Sequence, residues 1–227
     1  MAYELCLATA GKQVPTGPDW IHEVKHDGYR MLVIRENKRV RLLSRNGTDW
    51  TKRYPWIAEA ALKNRQKQIV IDGEAVILGV DGISDFNALH SRKRDYEAQL
   101  YAFDVLKMDG DDLRDLPLHL RKTNLHRLLA RRPDGITVAP FERGEIGPDL
   151  YRAACRMGLE GLVSKHRDRP YRGGRQNHWI KVKDLSAMER ELCMVRKSKK
   201  SRHNIIRSGL RRPQFSLRRS SSRMARC

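Results

Sequence analysis

The sequence predicts an α+β fold in which mainly antiparallel sheets are flanked by helices. Short segments rich in Val, Ile, Leu and aromatic residues are separated by turn dipeptides, which is typical of hairpin-connected strands. Segments with helical periodicity fall irregularly between them, and hairpin-like strand pairs mixed with helices favour this layout. The chain has 227 residues, of which 40% are hydrophobic. This is enough for one domain of ordinary size and a tail.

Seven segments are predicted to be strands. Asp27-Gly28 and Glu36-Asn37 turns separate the first three, and Asp81-Gly82 is a good hairpin turn after the fourth. The predicted strands cover residues 20–25, 29–35, 40–43, 68–78, 100–106, 161–165 and 179–182. Residues 1–17 come before them and are predicted to be a loosely structured lead-in.

Three segments are predicted to be helices. Residues 55–64 have proline in the first turn and carry their small apolar residues on one side, Ile57, Ala60 and Ala61. Residues 118–129 are amphipathic, with one face made of Leu118, Leu125, Leu128 and Leu129. Residues 149–157 are predicted to form the third helix.

The net charge of +19 is unevenly spread along the chain. Residues 191–227 hold 12 Lys and Arg residues against one acid, Glu191, and the first 190 residues carry the other +8. Such a balance suits a polyanionic partner, with a solvated surface as the alternative for the first 190 residues. Because residues 191–227 are rich in Ser and Arg and poor in apolar residues, they are predicted to be a disordered basic tail.

The remaining composition argues against a zinc site, disulfides and a membrane location. The four cysteines form no Cys-x-x-Cys pair and have no histidine cluster nearby: Cys6, Cys155, Cys193 and Cys227. No apolar run approaches membrane-spanning length, and the first residues lack the pattern of a signal peptide. We therefore expect a protein of the reducing cytoplasm, without a membrane partner.

One short motif carries most of the chemical information. Lys25-His26-Asp27-Gly28 places a lysine after apolar β-forming residues and directly before a polar turn. The amine is therefore held at a strand end, where it can act as a nucleophile if its surroundings favour the neutral form. The glycine is expected to let the backbone approach a bound phosphate.

Further motifs follow this lysine in a fixed order. They are Ser44-Arg45-Asn46-Gly47, Asp72-Gly73-Glu74-Ala75-Val76, Tyr101-Ala102-Phe103-Asp104, Glu160-Gly161-Leu162-Val163-Ser164-Lys165 and Tyr171-Arg172-Gly173-Gly174-Arg175, which leads to Trp179-Ile180-Lys181-Val182-Lys183. Together they resemble the nucleotide-pocket motifs of ATP-dependent DNA ligases, most closely the ligase module of bacterial end-joining enzymes. The resemblance covers about residues 18–190. It implies an ATP-grasp-like adenylation domain with two sheets and a nucleotide pocket between them.

The resemblance implies a role for each polar motif residue. Lys25 is the expected nucleophile, which attacks the α-phosphate of ATP and forms a lysyl–AMP phosphoramidate. The cations expected around the phosphates are Arg30, Arg45, Lys181 and Lys183. Because Lys181 and Lys183 alternate along a strand, their amines share one face, and an anion between them would relieve their repulsion. Arg175, in a predicted loop, is expected to touch the nick phosphate or the AMP phosphate.

Base and cation recognition are assigned by the same resemblance. Phe103 is expected to stack on adenine, although a core phenylalanine is the alternative on sequence alone. Glu23 is expected to accept a hydrogen bond from the adenine amino group and so to select ATP over GTP. Glu74 is expected to hold the ribose, and Glu160, with Glu74, to place Mg²⁺ or Mn²⁺. Asp72 and Asp104 are weaker candidates.

The chain departs from the family pattern after Lys183. Family ligases continue into an OB-fold, and nothing after Lys183 resembles one, so slow nick sealing is expected. The expected partner is nicked double-stranded DNA at the nucleoid, with a separate OB-fold or end-joining protein as a further candidate. An RNA ligase, a capping-type nucleotidyltransferase and a truncated, non-catalytic DNA-binding remnant are the alternatives.

The charge distribution generates a first prediction. Deleting residues 191–227 should weaken DNA binding and flatten its salt dependence, because each neutralised phosphate contributes about 0.9 to the slope of log affinity against log salt. Fluorescence anisotropy with duplex DNA over a range of salt concentrations measures both quantities. An unchanged slope in the deletion variant would show that DNA is held by the first 190 residues instead.

Overall fold

The computed structural model describes residues 3–131 and 134–184. Within these ranges the chain forms two sheets, which we call sheet A and sheet B, and four α-helices. The prediction of an α+β fold with two mainly antiparallel sheets is confirmed. The predicted disordered tail, residues 191–227, lies outside the described residues.

Sheet A has five strands taken from the beginning and the end of the described residues. Its spatial order is β1-β11-β10-β2-β9, and only the β1–β11 pair is parallel. The strands are β1 (Cys6–Ala10), β2 (Trp20–Val24), β9 (Phe141–Arg143), β10 (Gly161–His166) and β11 (Gly174–Lys183). Because the strands are distant in sequence, this sheet depends on long-range pairing.

Sheet B is built mostly from consecutive strands. Its order is β4-β3-β5-β6-β7, with β8 pairing to β6 in parallel. The strands are β3 (Tyr29–Glu36), β4 (Arg39–Ser44), β5 (Gln68–Val76), β6 (Gln99–Met108), β7 (Asp111–Asp112) and β8 (Ile136–Val138). The predicted strands at residues 29–35, 40–43, 68–78 and 100–106 are confirmed, with small differences at their ends.

The helices are α1 (Pro55–Lys63), α2 (Phe86–His90), α3 (Leu118–Leu128) and α4 (Gly147–Arg156). The three predicted helices correspond to α1, α3 and α4, while the five-residue helix α2 was not predicted. Arg35 of β3 closes the end of α1, because its Nη1 donates to the carbonyls of Ala61 at 2.8 Å and Asn64 at 2.7 Å. In the described part of the chain, no helix is long and apolar enough to cross a membrane.

Strand β3 is buried on both faces and so separates two hydrophobic cores. Met31 and Val33 belong to the core between sheet B and helices α1 and α3. Leu32 and Ile34, on the opposite face, pack in the core that also contains Trp179 of sheet A. Because successive side chains of a strand point to opposite faces, the apolar residues of β3 contribute to both cores.

The prediction of a loosely structured lead-in was wrong at Cys6–Ala10. This segment is β1, which pairs in parallel with β11 and has an irregular register between Ala8 and Thr9. Its residues are mostly small and form only a short run, so local propensity gives little sign of a strand. The pairing partner lies far along the chain, and tertiary context decides the structure here.

A buried ion pair fastens α3 to sheet B. Arg121 of α3 donates from Nε and Nη2 to the two oxygens of Asp104 on β6, at 2.8 and 2.9 Å. Both side chains are fully buried. The same guanidinium donates from Nη1 to the carbonyl of Leu116, so the charge is matched and its donors are used.

This pair gives a prediction for stability. Arg121→Met should lower the free energy of unfolding by about 3–5 kcal/mol, because it leaves the buried Asp104 carboxylate without its counter-ion. Urea unfolding followed by circular dichroism measures the change. Arg94→Met is the matched control, since it removes an exposed arginine–carboxylate pair and should change little. Equal losses in the two variants would contradict the assignment.

Candidate active site

A cleft of about 1010 Å³ lies between the inner faces of the two sheets. It contains nine of the ten site residues predicted from the sequence: Glu23, Lys25, Arg30, Arg45, Glu74, Phe103, Arg175, Lys181 and Lys183. The tenth, Glu160, bonds to Lys25. The sequence motifs therefore converge on one cavity, although they span most of the described chain.

Lys25 lies just beyond the end of β2, beside β10. Its backbone N–H donates to the carbonyl of Gly161 at 2.9 Å, which fixes where the side chain starts. Its Nζ donates to Oε2 of Glu160 at 2.5 Å, and Nζ of Lys183 lies 2.8 Å from Oε1 of the same carboxylate. Glu160 therefore bridges the predicted nucleophile and one of the predicted phosphate ligands.

The charge of Glu160 is maintained by these lysines. Burial raises the pKa of Glu160, but Lys25 and Lys183 outweigh that effect and hold the pKa below its ordinary value. An ionised carboxylate between two ammonium groups is expected to keep both in fixed positions. The amine of Lys25 is thus oriented by charges on two other side chains.

Gly28, in the same motif, packs closely against a neighbouring strand. A Cβ added at Gly28 would lie 2.4 Å from the carbonyl oxygen of Ala75 on β5. Glycine is therefore needed for close approach to a neighbouring strand; Gly28 also lines the cleft, and its approach to a phosphate stays a prediction. This close packing holds the lysine motif against sheet B.

Three other predicted phosphate-binding cations face the cleft. Lys181 lies on β11, two residues before Lys183, and both line the cleft as the predicted alternation requires. Burial lowers the pKa of Lys181, and the nearby Lys25 and Lys183 lower it further.

The other two cations are arginines. Arg45 follows β4, and Arg175 lies inside β11 rather than in the predicted loop. Nη1 of Arg175 donates to the carbonyl of Ala8 at 3.3 Å.

Arg30 has an acidic partner that the sequence analysis did not assign to it. Its Nε and Nη2 donate to the two oxygens of Asp72 at 3.0 and 2.6 Å. Tyr171 donates its hydroxyl hydrogen to Oδ2 of Asp72 at 2.7 Å and accepts from the backbone N–H of Cys6 at 3.0 Å. The guanidinium is thus committed to a buried network that joins the sheets, and its phosphate role stays a prediction.

Glu74 is placed opposite Arg30 in the β3–β5 register and opposite Tyr101 in the β5–β6 register. Burial raises its pKa to about 7, although Lys25 and Arg30 act in the opposite direction. The nearby charge of Glu160 adds to the increase. Glu74 is therefore close to its titration point near neutral pH.

Phe103 forms an aromatic pair across the sheets. Its ring lies 6.2 Å from that of Trp179 in an edge-to-face arrangement. Nζ of Lys165 lies 4.0 Å from the centroid of the Phe103 ring and 4.1 Å from that of Trp179. The ring also lines the cleft, so its position permits base stacking.

Glu23 lines the cleft, but each of its oxygens faces a buried lysine. Lys165 donates to Oε2 at 2.7 Å, and Nζ of Lys122 lies 2.6 Å from Oε1. Burial raises the pKa of Glu23, but the two lysines outweigh it and lower the pKa. Its main contacts are therefore with lysines, and contact with the adenine amino group stays a prediction.

Sequence reasoning did not assign a role to Lys165 or to the stack of His26 on Tyr101. The two rings of the stack lie 4.5 Å apart with an angle of 18° between them. Tyr101 alternates with Phe103 on β6, and Lys165 alternates with Val163 on β10, so period-two alternation could have placed both in the cleft. Their partners could not be read from local sequence.

The acidic residues of the cleft do not form a metal site by themselves. Over residues 3–131 and 134–184, no group of three or more His, Cys, Asp or Glu side chains is arranged to hold a metal ion. Mg²⁺ commonly uses one or two carboxylates together with phosphate oxygens, so Glu160 and Glu74 remain suitable as partial ligands.

A lysine at the end of a cationic cleft between two sheets is suited to covalent nucleotidyl transfer, and the fold and site indicate this class of protein. Comparison with known protein families then identifies the family within this class. Residues 7–183 match the model described as "ATP dependent DNA ligase domain". The chain therefore belongs to the ATP-dependent DNA ligase domain family, and the resemblance seen in the sequence is confirmed.

Several relatives are end-joining proteins. The Pseudomonas aeruginosa "Multifunctional non-homologous end joining protein LigD" is 37% identical over 202 residues, which are 88% of this chain and 24% of that protein. The Mycobacterium tuberculosis LigD protein is 34% identical over 171 residues, covering 75% of this chain and 22% of that protein. The chain spans less than a quarter of the length of these curated relatives.

The fold also matches solved structures. The structure of "mycobacterial DNA ligase D complexed with ATP and MES" has a TM-score of 0.69 and 34% identity, covering 79% of this chain and 60% of that one. The ligase domain of M. tuberculosis LigD gives the same values. These matches agree with the two-sheet adenylation fold expected from the sequence.

The pKa of Glu74 generates a prediction about pH. The folded-state pKa of about 7 exceeds the ordinary value of 4.5, so the folded state binds more protons between these values and its stability falls as pH rises through that window. Glu74→Gln should remove this dependence and stabilise the protein by on the order of 2 kcal/mol near pH 8, with a smaller gain near pH 5. Urea unfolding at the two pH values measures it.

The control for this prediction is Glu59→Gln. Glu59 is exposed on α1, so its replacement should leave the pH dependence of stability as in the wild type. If Glu74→Gln and the wild type lose stability equally between the two pH values, Glu74 does not titrate in this range.

Proposed function

We propose that this chain is the adenylation domain of an ATP-dependent DNA ligase. Nζ of Lys25 attacks the α-phosphate of ATP, the N–P bond of a lysyl–AMP phosphoramidate forms, and pyrophosphate leaves. The AMP group then passes to the 5′-phosphate of nicked DNA, and attack by the 3′-hydroxyl joins the strands and releases AMP. The observation that carries the proposal is Lys25, ion-paired to Glu160, in a cleft lined by further cations.

The cations of the cleft are suited to the charge that develops at phosphorus. Lys181 and Lys183 alternate on one face of β11, while Arg45 and Arg175 line the cleft from the end of β4 and from the start of β11. Fixed cations aimed at a phosphoryl group lower the barrier because they need little reorganisation during the reaction. A bound triphosphate would also remove the repulsion among these groups.

The amine of Lys25 must release a proton before it attacks. Oε2 of Glu160 already accepts a hydrogen bond from this amine at 2.5 Å, and the carboxylate would become a better acceptor for that proton once Lys183, which lowers its pKa, moves to the triphosphate. When the triphosphate is present, its oxygens would compete with Glu160 for Lys183. The Lys25–Glu160–Lys183 arrangement thus serves both to hold the amine and to release it.

A divalent cation fits the acidic side of the cleft. Burial raises the pKa of Glu74, and the charges of Asp72 and Glu160 add to the increase, so a cation bound nearby would favour its ionised form. Glu160 and Glu74 would hold Mg²⁺ or Mn²⁺ together with phosphate oxygens. When bound, the cation would neutralise charge on the phosphates.

The adenine would stack on Phe103, with Glu23 held beside it by Lys122 and Lys165. The edge-to-face contact with Trp179 fixes the ring of Phe103 in one orientation. The mycobacterial DNA ligase D structure is a complex with ATP, which supports ATP as the nucleotide. Selection against GTP is the property that separates a ligase from a capping-type enzyme.

The wider activity is proposed from the relatives. The end-joining proteins of Pseudomonas and Mycobacterium favour DNA repair or recombination over RNA ligation. We place the chain in the cytoplasm at nicked double-stranded DNA, with a separate OB-fold or end-joining protein as a partner. The nine predicted residues gathered in the cleft favour an enzyme over a non-catalytic DNA-binding remnant.

The proposal predicts a covalent label on one residue. Incubation with α-labelled ATP and a divalent cation should label the protein, while labelled GTP should not. Lys25→Ala should lose the label by at least about a hundredfold, and Lys25→Arg should also fail, because a guanidinium stays protonated. Denaturing gels measure the label, and peptide mass spectrometry locates it.

Lys12→Ala is the control, since Lys12 is exposed and outside the cleft lining. It should retain the full label, and circular dichroism should show that each variant is folded. Labelling of Lys25→Ala at the level of the wild type would contradict the assignment of the nucleophile, and preferential labelling by GTP would favour the capping-type alternative.

A further inference from the structure

Lys165 is a buried cation whose role is not explained by the reaction steps above. It is 1% exposed, lies on β10, and points its amine between the rings of Phe103 and Trp179, at 4.0 and 4.1 Å from their centroids. Burying an ammonium group is unfavourable unless it is paired. Its location beside the expected base-stacking ring, in the lining of the same cleft, therefore needs a physical explanation.

Lys165 shares its carboxylate partner with a second buried lysine. Glu23 faces both Lys165 and Lys122, so one carboxylate serves two buried ammonium groups. Arg30 also lies near the Phe103 ring, at 5.2 Å, but Asp72 holds its guanidinium through two hydrogen bonds. Within the Glu23 cluster, made of Glu23, Lys122 and Lys165, it is the ammonium group of Lys165 that lies over both rings of the aromatic pair.

A cation on one face of an aromatic ring is attracted by the ring electrons and withdraws density from the other face. The face that remains should then bind an electron-rich base more strongly than an electron-poor one. Phe103 lines the cleft, so a base that enters can contact the ring that Lys165 polarises. The pair Lys165–Phe103 therefore connects a buried charge to base binding.

We infer that Lys165 is a positioning and specificity residue, which holds the Phe103 and Trp179 rings and makes the stacking surface selective for electron-rich purines. The inference rests on the proposed nucleotide-binding function. Lys165 lines the same cleft, and its effect on base selection is exerted through the Phe103 ring. The ligand class is a purine nucleotide with electron-donating substituents, such as adenine with its amino group.

The test uses binding of monophosphates, because AMP cannot adenylate the protein. Isothermal titration calorimetry compares AMP, 2-aminoadenosine monophosphate and 2-chloroadenosine monophosphate, whose bases differ in electron density while the phosphate stays the same. For the wild type, the 2-amino compound should bind about threefold to tenfold more tightly than the 2-chloro compound. This preference is a ratio, so general destabilisation does not change it.

Lys165→Met should weaken AMP binding about threefold to tenfold and reduce the preference to about one. Lys165→Arg keeps a cation near the rings and should restore most of the preference. Lys122→Met is the matched control, since it also removes a buried lysine from Glu23 but leaves Lys165 over the ring. It should retain the wild-type preference.

A second variant keeps the test valid if Lys165→Met does not fold. Phe103→Leu removes the ring while Lys165 remains, so it should also abolish the preference. A wild-type preference in either folded variant, Lys165→Met or Phe103→Leu, would overturn the inference, as would the absence of any preference in the wild type. If the preference is present but Lys25 is never labelled by ATP, the inference stands and the proposed reaction fails.

Discussion

The two sheets meet at the carboxylate of Asp72, and the geometry of the cleft depends on this contact. Asp72 is fully buried on β5 and receives two hydrogen bonds from Arg30 of β3 and one from Tyr171, which precedes β11. Tyr171 in turn accepts from the backbone of Cys6 on β1. The Arg30–Asp72 pair lies within sheet B, so separating the sheets would break the hydrogen bond from Tyr171, at a cost of about 1.5–3 kcal/mol. The two walls of the cleft are therefore held at a fixed separation before any nucleotide enters.

Charge pairing beneath the cleft also stabilises its cationic surface. Lysines and arginines that face one another in the cleft repel, and the buried carboxylates of Asp72 and Asp104 in the layer below, with Glu23 in the cleft wall, supply negative charge. The apolar residues of the same layer lower the local dielectric constant and strengthen these attractions. The positions of the cations are then set by the protein itself, which is what electrostatic stabilisation of a reacting phosphate requires.

Local patterns in the sequence predicted the elements whose partners are close in the chain. The strands of residues 29–35 and 40–43 and the helices at 55–64 and 118–129 have clear periodicity and turn residues, and the structure contains them. The strand β1 has neither, because its pairing with β11 comes from residues far away. Sequence alone therefore could not distinguish it from an irregular segment.

The same holds for the site: its residues could be predicted from local motifs, but their interaction partners could not. Nine of the residues that line the cleft could be predicted because motifs of known order contain them. Their partners were not identifiable: no local pattern indicates that Arg30 is held by Asp72, or that Glu23 is shared by Lys122 and Lys165. Ion pairs between residues distant in sequence depend on the fold, so the roles of these side chains could be assigned only in three dimensions.

The parallel pairing of β1 with β11 has a consequence for the order of folding. Sheet B is made largely of consecutive strands, so its contacts close short loops and can form early, whereas sheet A joins strands from the start and end of the domain. Contacts of high sequence separation form slowly because loop-closure entropy must be overcome first. During synthesis, sheet B can therefore assemble on the ribosome before β11 has emerged, whereas sheet A cannot be completed until then. The cleft is completed last, so a nascent chain gains its nucleotide-binding surface only once nearly the whole domain has been made.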